Sequence, residues 1–263
     1  MHPVLFRIGS LIIPSYGALA ALGVLLALAL VQRTARQRGL APSAVWNLCV
    51  LALCAAFAGS RIVLVVLNWT VVRTHPAWLL SLAMIHHPLL AVIGVAFAFV
   101  IAIPCAHMYR LPLAHLADAL AAPLALGLAV EQIGELFAGS GYGIETSARW
   151  AIVYSDPLAL RWSGTPLFEP LHPVQAYAAL AFFVIALALL VWMPHAHRAG
   201  DVAGATLMSM GTATYLTEFF RDPEGRGALL GRAVDLPQLV AVAAVLAGAF
   251  MLREHPSREV PHA

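Results

Sequence analysis

The stretch Gly127–Gly143, GLAVEQIGELFAGSGYG, begins as an apolar helix and ends as a glycine-rich turn. Glu131, Gln132 and Glu135 interrupt its apolar run. Ionisable groups at membrane depth are costly and turn toward a bundle interior or a wet cavity. Glu131 and Glu135 are four residues apart and so share one helix face. The stretch therefore predicts a membrane helix with a polar inner face, and the remaining spans are expected to surround that face.

Composition supports a membrane protein. The 263 residues are 61% hydrophobic and 11% charged, with a mean hydropathy of +0.84. A soluble domain carries roughly 25% charged residues. All 15 basic residues are arginine, the net charge is +2, and no basic block of the kind that binds nucleic acid occurs. Cys49, Cys54 and Cys105 all fall in apolar runs without a CxxC pair, so neither a disulfide framework nor a metal site is expected. No cofactor is implied. The first residues lack the pattern of a cleavable signal peptide.

Taken in order, residues 1–10 predict a short amphipathic segment at the interface. Apolar runs then predict about seven spans, near 11–31, 45–69, 89–105, 115–138, 173–192, 202–220 and 237–252. Pro14, Tyr16 and Gly17 open the first, and Pro123 is expected to kink the fourth. Asp118 is read as a carboxylate favouring the N-terminus of its own helix. The piece 77–85 is too short to cross, and His86-His87 reads as a solvated pair. Residues 139–171 form the longest connection; their Gly, Pro, Trp and Tyr content predicts an ordered cap, with a strand hinted at 150–154. The fold class expected is an all-α polytopic membrane protein, a single membrane domain over 1–263 with a periplasmic cap at 139–171. Arg33, Arg36 and Arg38 follow the first span at once and argue that this side is cytoplasmic. With these three inside, the loop arginines divide evenly (33, 36, 38, 110, 198, 253 and 258 inside; 7, 73, 149, 161, 221, 226 and 232 outside), but short loops outweigh the long one that carries Arg149 and Arg161. The N-terminus is thus expected outside and the C-terminus inside.

This topology gathers unusual groups at the outer side: Tyr16, the Gly139–Gly143 turn, the helix start at His172 with Gln175 and Tyr177, and Arg221, with Arg61 and Gln132 deeper. Free N–H groups at a helix start suit an anion, and the forked donors of Arg61 and Arg221 suit phosphate. A phospholipid headgroup site follows, weighed against a set of purely structural polar contacts. Glu218 and Arg221 are three apart and are expected to pair on one face.

The order of these pieces resembles the prolipoprotein diacylglyceryl transferase family, seven-span enzymes of the bacterial inner membrane. PVLFRIGSLIIPSYG, AGSRIVLVVLNW, the Asp118–Gly143 region, RWAIVY, HPVQAY and TEFFRDP resemble the family's landmarks in sequence order. Several signature positions differ. Gln132 stands where an arginine that binds phosphatidylglycerol is expected, Glu135 replaces an asparagine or cysteine, and Ala138 and Ser140 replace further polar residues. Val92-Ile93-Gly94 lies where the family has His-Gly-Gly, and Ala178 replaces a glutamate.

The resemblance implies transfer of a diacylglyceryl group from phosphatidylglycerol to the lipobox cysteine of a prolipoprotein, with glycerol phosphate leaving. Its implied site residues are Glu135 and His172 for proton handling, and Gln132, Arg61, Arg221, Tyr16, Gln175 and Tyr177 for the phospholipid. Gly134, Gly139, Gly143 and Glu218 are expected to be structural. Two alternatives stand beside it. One is a family-fold protein that only binds phospholipid or lipoprotein. The other is a small transporter in which Glu131, Glu135 and Glu218 relay protons, for which inverted repeats are expected and none is found.

Overall fold

The structure, a computed structural model, describes residues 2–8, 11–74, 88–196, 198–222, 228–229 and 234–253. The chain forms two compact units, one of residues 1–27 and 117–263, the other of residues 28–116. The piece 77–85 and the His86-His87 pair lie outside the described residues, as do the polar residues Glu224, Arg226 and Arg232 and the tail beyond Arg253.

The chain opens on a β-hairpin, β1 (Val4–Ile8) and β2 (Leu11–Pro14), where an interfacial segment and the start of the first span were expected. Helix α1 (Ser15–Gln37) follows directly. Proline has no N–H for a helical bond, so the helix begins after Pro14. Ser15 is fixed there by its N–H to Pro3 O at 2.9 Å and its hydroxyl to His2 O at 2.5 Å.

In the second unit, α2 (Pro42–Leu67), the short α3 (Trp69–Thr74) and α4 (Pro88–Met108) follow. Helix α2 starts with proline at its first position after an extended Ala41, the usual use of proline at a helix start. It packs on α4. Gly94 rests against the Ala56 carbonyl, and at Gly59 a Cβ would meet the Phe97 ring. Small residues here let the two helices approach.

The first unit continues from α5 (Leu113–Ala138), which spans the boundary, through β3 (Ile152–Val153), α6 (Pro157–Ser163), β4 (Pro170–Leu171), α7 (Val174–Trp192) and α8 (Asp201–Glu218). The two-residue strands β5 (Ala228–Leu229) and β6 (Val234–Asp235) pair with each other before α9 (Leu236–Leu252). Helix α7 presents Leu180, Val184, Leu187 and Val191 as an exposed apolar stripe, a surface suited to lipid tails. Its other face buries Ala178, Phe182, Ala186 and Leu189. Helices α8 and α9 meet at glycines: a Cβ at Gly248 would meet the Gly204 carbonyl, and one at Gly211 would come within 2.7 Å of the Ala241 carbonyl.

Among the described residues four helical stretches are long and apolar enough to cross a membrane: Ser15–Gln37, Pro42–Leu67, Leu113–Ala138 and Val174–His195. Val92–Met108 and Leu236–Leu252 are apolar but shorter. The chain is a helical, multi-pass membrane protein.

Asp118 serves a helix other than its own. It lies five residues inside α5, fully buried, and accepts the N–H of Gly200 on Oδ2 and of Ala203 on Oδ1, both at 2.9 Å. It thus caps α8, whose own N-cap residue, Gly200, has no side chain to do so.

Candidate functional site

The polar residues of the opening stretch lie in the first unit, where α5 meets the start of α1. A Cβ on Gly134 would sit 3.3 Å from Tyr16 Cα, so this glycine lets the first turn of α1 come against α5. Gly23 and Gly127 repeat that approach lower in the pair, a Cβ on Gly23 coming within 2.7 Å of the Gly127 carbonyl. With the backbones this near, the Tyr16 hydroxyl donates to Glu131 Oε1 at 3.0 Å. Gln132 Nε2 divides its two protons between Glu131 Oε2 at 3.0 Å and Glu135 Oε2 at 3.1 Å. An amide that donates twice therefore bridges two carboxylates, and its own Oε1 is buried with no partner among the described residues.

Arg221 enters from the end of α8. Its Nε donates to Glu218 Oε1 at 2.8 Å and its Nη1 to the Gly141 carbonyl at 3.0 Å. The turn after α5 makes room for it. Gly139 and Gly141 have φ of +86° and +63°, a backbone region that favours glycine. A Cβ on Gly141 would strike Arg221 Nη1 and lie 3.3 Å from Glu135 Oε2. The turn thus threads between the guanidinium and the Glu135 carboxylate. Gly143 bridges Arg221 through the main chain, and Ile144 N–H donates to Phe220 O at 2.9 Å.

The long connection packs against this turn through several hydrogen bonds. Asp156 caps α6 by accepting Leu158 N–H at 2.9 Å, with Pro157 at the first helical position and Gly164 at φ +71° after the last. Strand β3 pairs with β4, two residues long, inside the expected 150–154 segment. The Thr165 hydroxyl donates to Gly139 O at 2.8 Å, and Tyr154 donates to Leu136 O at 2.9 Å. Burial, and next the Glu135 carboxylate, push the Tyr154 hydroxyl well above the ordinary tyrosine range, so it remains a donor. Gln175, fully buried at the start of α7, donates to Ser140 O at 2.6 Å.

His172 and Tyr177 lie beside this turn. His172 N–H donates to Ile144 O at 3.0 Å, and its Nδ1 is 3.1 Å from the Tyr177 hydroxyl. The imidazole and Phe220 rings are 5.1 Å apart. Arg61 belongs to the second unit, where its guanidinium lies 5.1 Å from the centre of the Phe57 ring. No group of three or more His, Cys, Asp or Glu side chains placed to share a metal ion occurs among the described residues.

Sequence comparison covers nearly the whole chain. The model of the prolipoprotein diacylglyceryl transferase family matches residues 3–253. The chain belongs to that family. Relatives named phosphatidylglycerol–prolipoprotein diacylglyceryl transferase include a Clostridium tetani protein, 25% identical over 256 residues (95% of this chain and 96% of the relative). A Vibrio cholerae protein is 28% identical over 260 residues, 96% of this chain and 90% of its own. One from Mannheimia succiniciproducens is 26% identical over 258 residues, 95% and 91% of the two chains. In this family member the two N–H groups of Gln132 are spent on its own carboxylates.

Sequence reasoning placed Gly141 in the Gly139–Gly143 turn but not under Arg221, and it missed Trp150, whose Nε1 donates to the Tyr177 hydroxyl at 2.7 Å. The glycine spacing signals the turn but not what packs on it, and the Trp150 contact, across 27 residues, carries no local signal.

Proposed function

We propose that this protein transfers a diacylglyceryl group from phosphatidylglycerol to the lipobox cysteine of a prolipoprotein at the outer face of the bacterial inner membrane. The observation that carries this reading is the family match from residue 3 to residue 253, which spans every element of the site. In the reaction the cysteine thiol gives up its proton, and the sulfur attacks the glycerol carbon that bears the phosphate. A C–S bond forms, the C–O bond to phosphate breaks, and glycerol phosphate leaves with the electron pair.

Arg221 supplies the cation for the phosphate. Its guanidinium is positioned by Glu218 and Gly141, and cations aimed at developing charge contribute strongly to such steps. Gln132, Tyr16 and Gln175, whose donors are held by Glu131, Glu135 and the Ser140 carbonyl, shape the wall of the headgroup site, and Tyr177 adjoins it beside His172. Glu135 and His172 are the groups able to handle protons. Gly134, Gly139 and Gly143 hold the frame. We read the chain as seven spans with residues 139–171 as a periplasmic cap, the N-terminus outside and the C-terminus cytoplasmic. The arginines after α1 support this orientation.

The test is complementation of a strain depleted of its own transferase, together with transfer of labelled diacylglyceryl from phosphatidylglycerol vesicles to a lipobox peptide by the purified protein. Growth and a labelled peptide are expected. A normally expressed, membrane-inserted protein that does neither would refute the activity.

A further inference from the structure

The Tyr177 hydroxyl lies between two nitrogen groups whose chemistry sets the direction of its own proton. An indole N–H only donates. Trp150 Nε1, 2.7 Å away, therefore occupies one lone pair of the hydroxyl. The hydroxyl has one proton to give, and among the described residues His172 Nδ1, at 3.1 Å, is the acceptor in reach. Donation to Nδ1 satisfies all three groups. Protonating Nδ1 instead would direct two donors at the hydroxyl and leave its own proton unused, which is costly for a partly buried group.

The surroundings hold the ring in this pose. The imidazole sits 5.1 Å from the Phe220 ring and 6.1 Å from the Tyr177 ring, and those two rings meet edge-on at 5.9 Å. The His172 main chain is tied to Ile144. Gly143 leaves no room beside it, since a Cβ there would lie 2.7 Å from His172 Cβ. With Nδ1 engaged, Nε2 is the nitrogen without a partner among the described residues, and it carries the proton.

We propose that Trp150 and Tyr177 hold His172 in the Nε2–H tautomer, so that His172 donates a hydrogen bond to the phosphate of the bound lipid and does not take the thiol proton. Tyr177 is then a positioning residue that acts through His172. The inference rests on the transfer reaction proposed above and divides its proton handling. Glu135 accepts the thiol proton as the C–S bond forms. The electron pair of the broken C–O bond departs on the phosphate oxygen, which His172 Nε2–H and Arg221 meet. The proton on Glu135 then passes to the leaving glycerol phosphate or to water, and His172 ends with the proton it began with.

Two measurements separate this inference from the reaction on which it rests. The first needs no turnover. Protein labelled with 15N-histidine in phosphatidylcholine nanodiscs is examined by long-range 1H–15N correlation, with His172 assigned by the signal lost in His172→Gln. An unprotonated Nδ1 and a protonated Nε2 are expected. Tyr177→Phe, or Trp150→Phe if the former does not fold, is expected to give a mixture of tautomers. Replacing phosphatidylcholine by phosphatidylglycerol is expected to shift the Nε2–H signal. A protonated Nδ1 in the wild type, an unchanged tautomer in both variants, or no shift with phosphatidylglycerol would each overturn the inference, whether or not the protein transfers lipid.

The second measurement uses the transferase assay. The Gln side-chain amide places a donor near the position of imidazole Nε2, so His172→Gln is expected to run at least roughly tenfold faster than His172→Leu. The leucine variant loses about 100-fold, as when one donor to developing charge is removed. Tyr177→Phe is expected to lower kcat roughly tenfold with KM unchanged. A His172→Gln protein that is folded yet as slow as His172→Leu would identify His172 as the base and overturn the donor role. Inactivity of the wild type would refute the transfer reaction alone, leaving the tautomer to the spectra.

Discussion

Removing the Asp118 carboxylate is expected to destabilise the protein without touching its site. The carboxylate accepts two buried backbone N–H groups, from Gly200 and Ala203, each at 2.9 Å. Hydrogen bonds to a charged partner contribute roughly 1.5–3 kcal/mol each, and a buried donor left unpaired carries its desolvation cost. Asp118→Ala strips both at once, so a loss of about 3–6 kcal/mol is expected. Asp118→Asn keeps one accepting oxygen but turns an NH2 group toward the second N–H, for a loss of about 2–3 kcal/mol. Helix α8 runs from Asp201 to Glu218, which at 1.5 Å per residue puts about 25 Å between the capped end and the Glu218–Arg221 pair. The assay is equilibrium unfolding in dodecylmaltoside micelles titrated with dodecyl sulfate, followed by tryptophan fluorescence. Lipid binding at low denaturant serves as the control. An Asp118→Ala protein within 1 kcal/mol of wild type would refute the capping role and the energetic reasoning behind it.

Arg221→Ala is expected to weaken phosphatidylglycerol binding and to lower transfer by about 100-fold or more; unchanged binding in a nanodisc assay would remove Arg221 from the headgroup site. Gly248→Val brings side-chain atoms onto the Gly204 carbonyl and is expected to cost about 3 kcal/mol, read as a fall in the yield of folded protein. Because the folded Tyr154 holds its proton more tightly than the unfolded chain does, its contribution to stability is complete below the ordinary tyrosine value of about 10 and declines as pH rises beyond it. Tyr154→Phe is expected to remove that alkaline slope and to lower stability by about 1 kcal/mol at neutral pH through loss of the Leu136 hydrogen bond.

The helices were legible because apolar runs of this length have few other uses, and α7 and α9 begin within a residue of the expected positions. The opening hairpin was not. Leu11–Pro14 is a continuous apolar run, which periodicity cannot assign to strand or helix. It is resolved by contacts of Ser15 with His2 and Pro3 that no local pattern announces. The face shared by Glu131 and Glu135 followed from a spacing of four, and the pairing of Glu218 with Arg221 from a spacing of three. The partner of Asp118 did not follow, since the cap belongs to a helix 82 residues later. The same limit hid the link from Trp150 to Tyr177, which exists only once the 139–171 connection has folded onto the start of α7.

The glycine seam between α8 and α9 bears on how the protein can move. Where Gly204, Gly211 and Gly248 bring main chain against main chain, sliding one helix by a turn would press a β-carbon into a carbonyl. Met208, Val245 and Leu252 close the seam around these main-chain contacts. The two helices therefore travel as one plank, and Arg221, anchored at the end of α8, travels with them. Displacing this plank would carry the cation as a unit relative to the Gly139–Gly143 turn, and it must open the Nη1–Gly141 hydrogen bond together with the main-chain bonds from Ile144 to Phe220 and from Asp222 to Tyr142.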